Sequence, residues 1–154
     1  MLKNYELIIA DTSCLILLQE INEIHLLNQL FSIVHITPEI ADEFKSPLPS
    51  FIRISKPENT KLVQQLTKKI DLGEASALAL AKESNSALLI IDDLKGRMLA
   101  KEMGLNFTGT LGIIVMAKDK GILKKIKPIF NKIQKTNFRA SKSLYIQLLN
   151  HCGE

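Results

Sequence analysis

Apolar residues fall along this chain in short unbroken runs separated by longer stretches of helical spacing, and that alternation sets the fold class. Leu7-Ile8-Ile9-Ala10 and Leu88-Leu89-Ile90-Ile91 are continuous apolar segments, the pattern of strands covered on both faces. Shorter strands are predicted over 32–36, 51–55 and 106–108, the middle one short or at a sheet edge before Pro57. Between them the spacing predicts helices at about 12–19, 24–31, 38–44, 59–69, 75–84, 94–103, 110–120, 123–134 and 141–150. Local signals agree with several of these bounds: Thr37 as a cap before Pro38, Ser141 as a cap, and Gly104 and Gly121 as stops. Strands alternating with helices predict an α/β fold around a mainly parallel sheet. No repeat, low-complexity tract or linker divides the sequence, so one domain over 1–154 is expected.

Composition narrows the picture. Hydrophobic residues make up 46% of the chain while aromatics reach only 5% and Trp is absent, so the core must be aliphatic. No apolar run approaches the roughly 18 residues needed to cross a bilayer, and Met1 to Glu6 lack the layout of a signal peptide. Two cysteines, Cys14 and Cys152, sit in no paired spacing, which points to a reducing, cytoplasmic setting. Cys14 reads as a small buried hydrophobe. His25, His35 and His151 show no metal-ligand spacing, and Gly109-x-x-Gly112 is too short for a phosphate-cradling loop.

Charge is unevenly distributed. Nine Lys or Arg fall between Lys118 and Lys142 against the single acid Asp119, which leaves the rest of the chain net negative. This basic helical segment, about 118–150, reads either as a solvated face or as a surface for a polyanion.

The acids carry the chemistry. Asp11 closes the first apolar run and Asp92-Asp93 closes the second. Carboxylates at the ends of buried strands can meet where open α/β sheets place their ligands. Glu43 lies near the end of its helix beside Phe44, and Glu74 opens a helix rich in small residues. Each has a plain structural alternative. Asp11 can cap the next helix, one of Asp92 and Asp93 can do the same, and Asp71 with Glu74 has the spacing of a capping box. Gathered together, the four acids would repel one another unless protonated or sharing a hard divalent ion such as Mg²⁺ or Mn²⁺.

In order along the chain, Asp11-Thr12-Ser13, the helix from Thr37-Pro38-Glu39 to Glu43, Gly73-Glu74-Ala75, Ile91-Asp92-Asp93, Gly109-Thr110-Leu111-Gly112 and Gly153-Glu154 resemble the PIN-domain superfamily, in particular a compact prokaryotic VapC-like branch. The resemblance implies a three-layer α/β/α sandwich and a metal-dependent ribonuclease, often the toxin of a type II toxin–antitoxin pair. It implies metal-site and catalytic roles for Asp11, Glu43, Glu74 and Asp92, with Asp93 as an accessory ligand and Ser13 and Thr110 as polar contacts. RNA would be held by Lys95, Arg97, Lys118, Lys124 and Lys125, read by shape more than by stacking because aromatics are scarce. Partners implied are RNA, an antitoxin protein and a second copy of the chain. The stretches Leu26-Leu27, Leu30-Phe31 and Ala75, Leu78, Ala79 would either cover that second copy or fill the core. The rival reading is a non-catalytic nucleic-acid-binding or adaptor module of the same fold, in which the acids cap helices. A receiver-like domain with Asp11 as nucleophile is disfavoured by Ser13 at the position two residues on.

Overall fold

The computed structural model describes residues 4–154; Met1 to Lys3, part of the stretch read above against a signal peptide, lie outside it. In chain order the elements are β1 (Leu7–Ala10), α1 (Thr12–Glu20), α2 (His25–Phe31), β2 (Val34–Ile36), α3 (Pro38–Phe44), β3 (Ile52–Ile54) and α4 (Thr60–Leu66). They continue as α5 (Leu72–Lys82), β4 (Ala87–Ile90), α6 (Leu94–Glu102), β5 (Asn106–Thr108), α7 (Thr110–Asp119), α8 (Lys127–Gln134) and α9 (Lys142–His151). The five strands form one sheet in the order β3-β2-β1-β4-β5, with every pair parallel. A parallel sheet needs a crossover between neighbours, and right-handed crossovers running in opposite directions from β1 and β4 put helices on both faces. Helix α5 packs on β1 and β4 and against α6, while α2 packs on β2 and against α7.

This explains the two unbroken apolar runs. Ile9, Leu89 and Ile90 have no exposed surface, because strands at the centre of a doubly covered sheet have no wet face. Truncating such a side chain to Ala typically costs about 2–5 kcal/mol. The faces considered for a second copy are also interior: Leu26, Leu27, Leu30, Ala75, Leu78 and Ala79 are all buried within the single chain. Those six are core, and Phe31 beside them is half-buried against it.

Helix α8 starts at Lys127, four residues after the predicted start at Leu123. Had the helix begun at 123, Pro128 would fall inside it without an N–H for the Lys124 carbonyl. That carbonyl instead accepts from Lys118 Nζ at 2.7 Å. The first turn of α8 is capped from a distance: the Glu154 carboxylate accepts from the N–H groups of Ile126 (2.8 Å) and Lys127 (3.1 Å). These bonds, together with Lys118 at 3.1 Å, hold the Glu154 carboxyl below its usual range. Among the described residues no helix is long and apolar enough to cross a membrane, and Cys14 and Cys152 are free, Cys14 fully buried as expected.

A buried polar chain joins α3 to α5. Thr37 Oγ1 lies 2.6 Å from Ser76 Oγ, Ser76 donates to the Gly73 carbonyl at 2.7 Å, and Thr37 also accepts from Ile40 N–H to cap α3. Replacing the hydroxyl with a methyl in Thr37→Val removes a cap and a buried bond together. The expected cost is about 1–3 kcal/mol in urea denaturation with an unchanged m-value.

Candidate functional site

The sheet order places a topological switch between β1 and β4, since the chain leaves β1 toward β2 and leaves β4 toward β5. Crevices at such points, outside the carboxyl ends of the strands, are where open α/β sheets bind ligands. The register pairs Ala10 with Ile90, so Asp11 and Asp92 leave adjacent strands within one residue of the same level. Asp11 N–H is tied to the Ile90 carbonyl at 3.0 Å. Although Asp11 stands at the cap position of α1, its side chain makes no capping bond. Its carboxyl is buried at 4% exposure.

Asp92 is fixed from the neighbouring helix. Its Oδ1 accepts the Thr110 N–H at 2.9 Å and its Oδ2 accepts the Thr110 hydroxyl. Thr110 is fully buried, so it orients an acid and does not face the crevice. Asp93 takes the capping role for α6, accepting from Gly96 N–H at 3.0 Å. The sequence left open which of the two acids would cap; the structure gives α6 to Asp93.

Two further acids come from the helices. Glu43 on α3 accepts from Thr12 Oγ1 at 2.7 Å, and its carboxylate lies directly against Gly73, with no room for a Cβ between them. The small residue ahead of Glu74 is therefore what lets α5 approach α3. Asp71 caps α5 through the Glu74 N–H at 2.9 Å, half of the expected capping box. The Glu74 carboxyl meanwhile turns into the protein beside Gly96, at 6% exposure.

These acids feel one another. Burial pushes the Asp11 carboxyl up to about 7, with Asp71, Glu43 and Asp92 adding to the rise and the Thr12 backbone N–H opposing it. Burial also pushes Glu74 up to about 9, helped by a hydrogen bond with the Asp71 side chain and by the charges of Asp11, Asp71 and Asp93. Asp71 thus belongs to the cluster as well as capping its helix. The sequence reading assigned it only the cap, and its position three residues before Glu74 was the available signal. Among the described residues no three Asp, Glu, His or Cys side chains converge tightly enough to form a finished ion cage. Thr12 and Thr110 hold Glu43 and Asp92, and Glu74 lies against Asp71.

The basic residues divide into two groups. Lys95 lies on α6 with Lys68, Lys69 and Met98 around a shallow hollow, and the two α4-end lysines were missed in the sequence because nothing local ties them to position 95. Arg97 donates to the Ile91 carbonyl at 3.2 Å and covers the Phe107 ring at 5.1 Å. Ser13 is exposed in the first turn of α1. Lys118 lies eight residues along α7 from Thr110, roughly 12 Å at 1.5 Å per residue, and is engaged with Glu154 and the Lys124 carbonyl. Lys124 and Lys125 are exposed in the turn beyond that far end. The structure does not bring these three to the acids. Lys132 likewise pairs with Glu23 at 3.0 Å, so part of the basic segment anchors α8 to the N-terminal half.

A family model described as a PIN domain, DUF3368, matches residues 7–154. No curated protein and no solved structure matches the chain.

The raised carboxyls fix a pH dependence. Folded Asp11 keeps its proton to about 7 and Glu74 to about 9, whereas the unfolded chain releases both near 4. The folded state therefore binds more protons, and metal-free stability should fall as pH rises from about 4 to about 9. Asp11→Asn removes its share, so above pH 7 the variant should exceed wild type by on the order of 2 kcal/mol, a melting rise of roughly 5 °C. Thermal melts in EDTA across that range check both.

Proposed function

This chain belongs to the PIN-domain family, and on that premise we propose that it is a divalent-metal-dependent endoribonuclease acting at the carboxylate cluster between β1 and β4. The observation that supports this reading most is Asp11, a nearly inaccessible carboxyl without a capping bond, surrounded by like charges. Such a group is stable only when protonated or beside a cation. A purely structural acid at a helix start would cap it, as Asp93 caps α6 through the Gly96 N–H, whereas Asp11 has the adjacent Thr12 N–H beside it and makes no capping bond.

The donor set is all carboxylate oxygen, which fits a hard ion such as Mg²⁺ or Mn²⁺. Asp11, Glu43, Glu74 and Asp92 would hold it, with Asp93 at the margin and Asp71 beside Glu74. When bound, the ion supplies an activated water and counter-charge for the leaving oxygen of a phosphodiester. The chain's own parts are distinct. Thr12 and Thr110 fix the directions of Glu43 and Asp92, and Lys95 and Arg97 meet the phosphate backbone of the RNA. Ser13, exposed in the first turn of α1, offers a hydroxyl to the same strand. The family resemblance implies a 5′-phosphate and a 3′-hydroxyl as products. It also supports the role of toxin in a type II pair, with an antitoxin protein as partner and the cytoplasm as setting.

Purified protein should cleave RNA with Mg²⁺ or Mn²⁺ and not in EDTA, and folded Asp11→Asn and Asp92→Asn should each lose more than about a hundredfold in rate. Undiminished cleavage by both variants would remove the site from the reaction. Gly73→Ala separates position from fold. The atoms nearest the added methyl are those of the Glu43 carboxylate, the far end of a side chain that can turn away from Thr12, so stability should change by less than about 1 kcal/mol. Mn²⁺ affinity by calorimetry should fall about 10–100-fold.

A further inference from the structure

Beside the carboxylates a separate groove of about 380 Å³ runs between the start of α6, the β5–α7 turn and the stretch that leads into α9. Asp92 is among the residues that line it, so the groove borders the carboxylate cluster at that acid. Gly109 joins the two: a Cβ there would meet Asp92 Oδ1 at 2.6 Å and Arg97 Nη1 at 2.7 Å. Bare backbone is what brings an acid and a guanidinium to the same wall. Arg97 is held in place by the Ile91 carbonyl and the Phe107 ring, while Arg139 lines the same groove and is exposed. Among the described residues neither arginine pairs with a carboxylate. The remaining wall is apolar, formed by half-buried Phe138 with Leu144 and Leu148.

An aromatic ring, two guanidiniums without a carboxylate partner and one acid of the cluster along the same groove match the chemistry of a nucleotide. Aromatic faces take bases, planar guanidinium forks take phosphate oxygens, and the volume is within the range of small-ligand clefts. A stacked ring requires an unpaired base, which selects single-stranded over duplex RNA. We propose that this groove binds the single-stranded nucleotide adjoining the scissile phosphate, its base against Phe138 and its phosphates at Arg97 and Arg139. The inference rests on the ribonuclease reading for its neighbour, the scissile phosphate, and amends the expectation of recognition without stacking. Six phenylalanines suffice if one stands beside the acids.

The test measures binding of a short fluorescein-labelled single-stranded RNA of randomised sequence by anisotropy, in EDTA so that nothing is cut. Phe138→Leu keeps an apolar side chain but loses the ring, and should weaken binding about tenfold at every salt concentration. Phe138→Tyr should restore it. Arg139→Ala, an exposed change that leaves packing alone, should reduce the log–log salt slope by roughly 0.7. If Phe138→Leu fails to fold, the Arg139→Ala slope decides. Unchanged affinity and slope in these variants overturns the groove, even where wild type cleaves RNA in Mn²⁺. RNA binding that follows the expected pattern without any cleavage in Mg²⁺ or Mn²⁺ overturns the ribonuclease reading and leaves the groove standing.

Discussion

Mutual repulsion among carboxylates is the constraint around which this molecule is organised. Asp11, Glu43, Asp71, Glu74 and Asp92 come from two strand ends and two helices, and an isolated cluster of that kind would spread apart or take up protons. The fold opposes the spreading by anchoring each support rigidly. Asp11 is fixed through its backbone to β4, Asp92 through both oxygens to Thr110, and α3 and α5 are joined by the Thr37–Ser76 bond. Protonation is the remaining outlet, and burial together with the neighbouring charges raises the Asp11 and Glu74 carboxyls in that direction. Stability and chemistry pull against each other here, as they commonly do where like charges are concentrated for a purpose.

The two threonines show how a helix start can serve a neighbour. Thr12 and Thr110 are each the first residue of a helix that follows a strand, and each gives its hydroxyl to an acid on another element. A threonine at that place would ordinarily be read as local capping. Its hydrogen bond here is long-range, which stiffens the acid without adding charge to the crevice. Serine would offer the same donor with less restriction at χ1.

Local pattern carried most of the architecture. The unbroken runs at 7–10 and 88–91, the Thr37-Pro38 start and the glycine stops marked element positions that the structure reproduces closely, because each signal is decided within a few residues. What was illegible depends on partners far along the chain. Nothing near Lys124 reveals that α8 waits for Glu154, and the spacing of Asp71 to Glu74 shows a cap but not the charge Asp71 brings to Asp11. Lys118, Lys124 and Lys125 looked like part of one basic surface because sequence proximity hides the length of α7. Arg139 was legible only as one charge of the basic segment, and Phe138, in a loop without periodicity, gave no signal until α6 and α9 were seen beside it. The acids at strand ends were the exception, since a strand's end is itself a local feature and parallel pairing brings such ends together.

Parallel pairing also governs when the acids meet during folding. β1 and β4 join residues 8 and 88, and closing so long a loop is entropically late compared with forming α1 or α5. A nascent or partly folded chain can hold all its helices and still have Asp11 and Asp92 far apart. The crevice is thus assembled by the pairing with the largest sequence separation in the sheet, and a partly folded chain lacks it.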